Sequence, residues 1–273
     1  LRPVNSMIHT VQEIQESNDL SKRVPLTRGN DEFHRLAECF NRMLSSLETS
    51  FLRERQFTSD VSHELRTPVA VILSHCEDLL EHGNLTSEER RELEIIQARA
   101  KGMAQMNAQL LLLSRADQNR QPLHLETVNL TELLEIILEE QEELALEKKI
   151  ELRSELAPDV SITADETMMI RLFENLLTNA IRYGRENGWV MVAMAAAEDH
   201  VTISVRDNGI GISEEHLPHI WERFYQADSS RTASRQGAGL GLPMVQWIVK
   251  AHHGTIQVRS LEGIGTEFTL QLP

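Results

Sequence analysis

Apolar residues in the first part of the chain recur every three or four positions, the spacing of one helix face. A short pattern (Val4, Ile8, Val11, Ile14) leads into a polar connector from Ser17 to Asn30. A long helix is expected from Asp31, with Leu36, Phe40, Met43 and Leu47 as a coiled-coil-like seam. After a polar interruption the stripe resumes at Phe57, Val61, Leu65, Ile72, Cys76 and Leu79. It stops at His82-Gly83-Asn84, a helix C-terminal signal. Thr86, with Glu89 three residues on, opens a second helix whose seam is Leu93, Ile96, Ala100, Met103 and Leu110. That seam fades near Asp117. The short connection makes the two helices an antiparallel hairpin. One hairpin cannot bury two such stripes, so a homodimer closing a four-helix bundle is expected.

The texture changes after Gln121-Pro122, where short strand-like runs mix with helices. Thr131 to Lys148 reads as an acidic amphipathic helix with a solvated outer face. Strands are expected at Glu151 to Leu156, Val160 to Thr163, Trp189 to Ala196 and His200 to Asp207, with a helix from Asp165 to Tyr183. Ser213 to Gln236 is polar and poorly periodic. A helix from about Gly239 to Ala251 and strands at Thr255 to Arg259 and Thr266 to Leu272 close the chain. The fold class is therefore α plus α/β: a long helical hairpin forming a dimeric four-helix bundle, then an α/β sandwich with one layer of helices on a mixed sheet.

Charge and cysteine usage narrow the function. Lys and Arg total 27 against 42 Asp and Glu, a net charge of −15 in 273 residues, and no local basic cluster offsets it. Nucleic-acid backbones are not expected partners. Cys39 and Cys76 lie far apart on helical stretches, which excludes a disulfide-dense scaffold and a cysteine-based zinc site and favours a reducing compartment. The longest apolar run, Trp189 to Ala197, is too short to span a bilayer. The opening Leu1-Arg2-Pro3 has neither an initiator Met nor a signal-peptide pattern, as expected of a fragment.

Candidate chemistry begins on the first long helix. Val61 and Leu65 lie about 40° apart and define its buried stripe, and His63 falls about 180° from their midpoint. His63 is therefore expected in solvent, with Thr67 one turn on and Glu64 flanking the same face. An exposed imidazole beside a carboxylate is a competent nucleophile. Pro68 removes one helical donor and frees the Glu64 carbonyl, so a bend is expected. A zinc-protease reading fails, because Thr67 stands where H-E-x-x-H needs its second histidine.

Three stretches of the second half point to a nucleotide. On the helix at Arg171 to Tyr183, Asn175, Asn179 and Arg182 fall within about 60° of one another, opposite Ile170, Phe173, Leu177 and Ile181. Amide oxygens suit Mg²⁺ arriving with phosphates, although a solvated strip has the same look. In Val201 to Ile212, period two puts Asp207 on the face of Val201, Ile203 and Val205, where a carboxylate needs a donor such as a purine amino group. Gly209 and Gly211 let the backbone approach a flat ligand. Gly237-Ala238-Gly239-Leu240-Gly241 opens a helix, so bare N–H groups can face phosphate oxygens. This is neither G-x-G-x-x-G nor a P-loop. The intervening loop, about 25 residues long, is long enough to act as a lid. It carries Arg223, Arg231 and Arg235 as phosphate partners, with Phe224 and Tyr225 as anchors.

In order and spacing these pieces resemble the cytoplasmic part of a bacterial two-component sensor histidine kinase, over nearly the whole chain. Phe57 to Pro68 is similar to the family's phospho-acceptor box, and Arg171 to Tyr183 to its N box. Asp207 to Gly211 and Gly237 to Gly241 are similar to its glycine boxes, and Ile220 to Tyr225 to its F box. Residues 1–50 resemble its membrane-proximal HAMP relay, with Pro3 and Asp31-Glu32 opening the two helices. The resemblance implies a relay over 1–50, a dimerisation and phosphotransfer hairpin over 51–119 and a Bergerat-type ATP-binding domain over 120–273.

It also implies roles. His63 takes the γ-phosphoryl of ATP, Glu64 acts as base, and Thr67 positions water for removing phosphate from the partner regulator. Asn175 and Asn179 hold Mg²⁺ and phosphates, with Asn179 the stronger metal candidate. Arg182 and Tyr183 border the nucleotide, and Asp207 binds the adenine amino group beside Gly209 and Gly211. Gly237, Gly239, Leu240 and Gly241 accommodate phosphates, with Phe224 and Arg231 contributed by the lid. Family members often carry Lys where Arg182 stands, and Arg keeps the charge. The implied partners are a second copy and a response-regulator receiver domain. The implied location is the cytoplasmic face of the bacterial inner membrane, reached through an upstream segment absent here. A gyrase- or MutL-type ATPase clamp has no use for an exposed His63. A coiled-coil scaffold with a regulatory nucleotide site would bind ATP without phosphotransfer.

Overall fold

The computed structural model describes residues 8–10, 22–25, 32–117, 121–227 and 238–273. The expectations for Pro3, Val4, Val11, Ile14, Asp31, Arg231, Arg235 and Gly237, and for the side chain of Phe57, lie outside the described residues.

Helix α1 (Glu32–His82) runs 51 residues without a break. The expected polar interruption after Leu47 stays helical, because its Glu, Leu, Arg and Gln residues are strong helix formers. The helix also continues through Pro68, which withholds a donor from the Glu64 carbonyl. The chain divides into two compact units, Leu1–Thr67 and Pro68–Pro273, so the division falls inside α1 at this proline.

In the first unit, residues 22–25 dock on α1. Val24 is buried, and its N–H and carbonyl pair with the Asn41 side-chain amide at 2.9 Å each. Ala37 and Leu44, which flank Asn41 on the same face, are buried with it. The seam read from the sequence faces elsewhere: Leu36, Met43 and Leu47 are exposed, as are Val61 and Leu65. Among the described residues, none covers them.

The second unit opens with the hairpin of α1 and α2 (Ser87–Asp117). Gly83 ends α1 and donates to the Leu79 carbonyl at 2.9 Å, where an added Cβ would sit 2.3 Å from that oxygen. The expected capping box opens α2: Thr86 N–H donates to the Glu89 carboxylate at 2.8 Å, and Glu89 N–H to the Thr86 hydroxyl at 3.3 Å. Among the described residues of the predicted seams, only Cys76 and Ala100 are buried in the hairpin, together with Val69. Ile72 stays 43% exposed and Ile96 50%, because two helices enclose only a narrow strip between them. The end of α2 behaves differently. Leu112 and Leu113 enter the core of the α/β domain, so packing crosses the compositional boundary at Gln121-Pro122.

That domain comprises β1 (Glu126–Asn129), α3 (Leu130–Glu147), β2 (Glu151–Leu156), β3 (Ser161–Ala164), α4 (Glu166–Tyr183), β4 (Trp189–Ala196), β5 (Val201–Asp207), α5 (Gly241–Ala251), β6 (Thr255–Leu261) and β7 (Gly265–Leu272). The main sheet has the order β2-β4-β5-β7-β6, with β2–β4 parallel and the other pairs antiparallel. The expected mixed sheet is therefore present. Strand β1, unforeseen, pairs antiparallel with β3 outside it. Its four residues, Glu-Thr-Val-Asn, are too few to show a period.

The buried row of β5 is Val201, Ile203, Val205 and Asp207, as period two requires. Helices α4 and α5 close over it through Phe173, Leu177, Ile181, Val245 and Ile248. One hydrogen-bonded node ties distant segments together. Asp165 caps α4 by accepting from Met168 N–H at 3.0 Å, and it accepts from His124 N–H at 2.9 Å. Its own N–H donates to His252 Nε2 at 3.0 Å, while His252 Nδ1 donates to the Ile248 carbonyl at 2.8 Å. These partners require a neutral imidazole carrying its proton on Nδ1.

Candidate functional site

In the first unit, His63, Glu64 and Thr67 are exposed on α1, whereas the neighbouring Ser62 is buried. A single helix face thus offers an imidazole, a carboxylate and a hydroxyl to solvent.

In the second unit a cleft of about 1450 Å³ lies between α2 and the open side of the α/β domain. Asn175, Asn179, Arg182 and Tyr183 line it from α4. Asp207 and Gly211 line it from the end of β5 and its loop, and Gly239 and Gly241 from the start of α5. The opposite, buried face of α4, including Phe173, Leu177 and Ile181, orients these polar groups by packing.

The two asparagines differ. Asn175 Nδ2 donates to the Arg171 carbonyl at 2.6 Å, and a Cβ on Gly241 would lie 2.7 Å from Asn175 Oδ1. Asn175 therefore fixes the approach of α5 to α4, and only a glycine at 241 permits it. Among the described residues, no hydrogen bond engages the Asn179 amide. Its oxygen remains free for a cation that brings phosphates, the donor chemistry Mg²⁺ accepts.

Asp207 closes the cleft floor. Burial pushes its carboxyl above the usual range, and the Gly209 and Thr266 backbone N–H groups pull it back in part. Gly209 N–H donates to Asp207 Oδ1 at 2.8 Å. A side chain at Gly209 would come within 2.3 Å of the Tyr183 carbonyl, and Gly211, at φ +70°, would meet the Leu261 carbonyl at 2.1 Å. The two glycines thus press the loop flat against α4 and the β6–β7 turn. Glu174 on the rim is also raised, by burial and then by the neighbouring Glu140, against a lowering pull from Arg171.

The loop before α5 is held by Phe224 N–H donating to the Gly239 carbonyl at 2.9 Å, with Gly239 at φ +67°. His216 Nδ1 and the Tyr225 hydroxyl are 2.6 Å apart and brace the same corner. A flat, partly apolar cleft with one buried acid, a free amide and glycine-lined backbone fits a purine nucleotide and its metal-bound phosphates.

Three family descriptions match the chain in sequence. Residues 1–49 match the HAMP domain, 53–119 the His Kinase A (phospho-acceptor) domain, and 164–273 the histidine kinase-, DNA gyrase B-, and HSP90-like ATPase. The chain belongs to the sensor histidine kinases.

Individual relatives agree. Sensor histidine kinase CusS of Escherichia coli K12 is 32% identical over 271 residues, which is 99% of this chain and 56% of CusS. Sensor histidine kinase YkoH of Bacillus subtilis is 31% identical over 277 residues, covering 99% of this chain and 59% of YkoH. The chain thus spans little more than half the length of these relatives. The crystal structure of full-length ShkA in complex with AMPPNP superposes with a TM-score of 0.68 at 29% identity, over 80% of this chain and 45% of ShkA.

Not every residue singled out from the sequence reaches the cleft. The Phe224 side chain is 59% exposed, and its contribution is the backbone bond to Gly239. Leu240 is buried in the core beneath α5, so its role is packing. Gly209 shapes the floor without lining it. Arg231 and Gly237 lie outside the described residues.

Sequence reasoning missed Thr266, which is buried beside Asp207 across the β5–β7 pair and shares a 2.8 Å hydroxyl contact with Ser260. It also missed Arg99, Lys101 and Gly102 of α2, which form the far wall. No local signal marks them, since the pairing of β7 and the packing of α2 bring them to the cleft.

Proposed function

We propose that this chain catalyses ATP-dependent autophosphorylation of His63 and passes the phosphoryl group to an aspartate of a response-regulator receiver domain. The carrying observation is the joint presence of an exposed His63-Glu64 pair and the Asp207 cleft, in a chain that belongs to the sensor histidine kinases. A clamp ATPase would leave His63 without purpose.

Asp207 accepts a hydrogen bond from the adenine amino group, and the Gly209–Gly211 loop lies against the ring. Asn179 holds Mg²⁺, which neutralises charge on the phosphates, and Arg182 borders them. Phosphoryl transfer needs positioning and charge neutralisation more than covalent help. In the transfer, a ring nitrogen of His63 bonds to the γ-phosphorus as the bond to the bridging oxygen of ADP breaks. Glu64 holds the proton of the other ring nitrogen and keeps the attacking one unprotonated. Thr67, one turn on, positions water for dephosphorylating the regulator.

The exposed stripes of α1 and α2 support dimerisation into a four-helix bundle. We take residues 1–50, 51–119 and 120–273 as relay, phosphotransfer hairpin and ATP-binding domain. Among the described residues, no helix is long and apolar enough to cross a membrane. Inner-membrane attachment is inferred from family membership alone.

The test uses the chain with Mg²⁺ and γ-labelled ATP, beside a His63→Gln variant. Label that survives base, is lost in acid and is absent from the variant is expected. Label that persists in His63→Gln would overturn the assignment.

A further inference from the structure

The least explained part of the cleft is its far wall. At about 1450 Å³ it exceeds the roughly 300–1,000 Å³ of an ordinary small-molecule site. Its lining includes a groove against α2, from Ile95 to Gln109. The cleft is also acidic for a polyphosphate site, since Glu174, Asp207 and Glu262 all line it. Among the described residues, its lysine and arginine cations are Arg182, Arg99 and Lys101, and the last two come from α2.

Arg99 stands out on three observations. No hydrogen bond or ion pair engages its guanidinium among the described residues. It shares a helix face with Gly102, three residues on, where an added Cβ would meet nothing within 4 Å, so open space lies beside the guanidinium. The helix that carries it is anchored: Leu112 and Leu113 sit in the core of the α/β domain, and Arg223 donates to the Leu113 carbonyl at 3.3 Å. Arg99 lies 14 residues before Leu113, about 21 Å along the axis, which places it over the cleft rather than over that core.

We infer that Arg99 is a polyphosphate-binding residue, a guanidinium supplied by the helical hairpin to the nucleotide held by the ATP-binding domain. This rests on the reading of the cleft as an ATP site. Arginine's planar fork suits two phosphate oxygens, and in this cleft it offsets the acidic lining. A nucleotide gripped from both sides also holds the domain against α2, so binding and domain position are linked.

The experiment is calorimetric titration of the chain with Mg·AMPPNP and, separately, with adenosine, which has no phosphates. Arg99→Ala is expected to weaken AMPPNP about tenfold or more and to leave adenosine unchanged. Arg99→Lys falls between, and Arg91→Ala, on the same helix outside the cleft lining, changes neither. In hydrogen exchange, AMPPNP is expected to protect residues 95–106 in the wild-type chain and not in Arg99→Ala. Circular dichroism checks that the variants stay helical. Equal AMPPNP affinity in wild type and Arg99→Ala, with binding weakened about tenfold or more in Asp207→Asn, overturns the inference and leaves the ATP site standing. A wild-type chain that binds neither ligand overturns both.

Discussion

Asp207, the carboxylate proposed to bind adenine, is buried at a cost to the fold. It was legible in the sequence because strand periodicity puts it at the end of an apolar row, and the structure buries it there. Burial raises its pKa, so the folded chain binds its proton more readily than the unfolded chain. Stability from that proton is present at acid pH and is lost as pH rises through the raised value. Asp207→Asn is therefore expected to raise the unfolding temperature of the nucleotide-free chain at neutral pH. That gain should vanish in scanning calorimetry once the pH falls below the ordinary carboxylate range. The same variant should lose ATP affinity by about tenfold or more, because a hydrogen bond to a charged group is removed. Asn179 and Asn175 carry the reverse lesson: helical arithmetic grouped them, but only the contacts of Asn175 with Arg171 and Gly241 separate a positioning amide from a free one.

Among the elements, α2 is the most instructive. Its start was readable from Thr86 and Glu89, since a capping box is a local hydrogen-bond pattern. Thr86→Ala should cost about 1 kcal/mol of stability, read as a lower denaturation midpoint. Gly102→Ala should act oppositely, stabilising the helix by up to about 1 kcal/mol, because the new methyl meets nothing. Strand β1 was unreadable because four residues carry no period and its partner β3 lies across an intervening helix. Heptad spacing finds all apolar faces, and among the described residues the hairpin of one chain buries the strip at Val69, Cys76 and Ala100.

For the whole molecule, the uncovered apolar residues set the expectation. Ile72→Glu should turn a dimer into a monomer in sedimentation and reduce His63 labelling, if the second copy covers this stripe. Pro68 falls where the chain divides into two compact units, within an unbroken helix. Restoring the missing backbone donor by Pro68→Ala should stiffen this point and shift the balance of kinase over phosphatase activity, measured with a purified regulator. An unchanged balance would count against a hinge here.

The sequence alone determined the element order, the helix and strand periods, the caps and most of the candidate chemistry. Each of these is a property of residues close together in the chain. Tertiary structure decided which polar groups meet. It brought Thr266 beside Asp207 through the pairing of β5 with β7, removed Leu240 to the core, and turned Arg99 of a helical hairpin into a wall of the nucleotide cleft. Those placements depend on pairing and packing between segments far apart in sequence, and no local spacing encodes them.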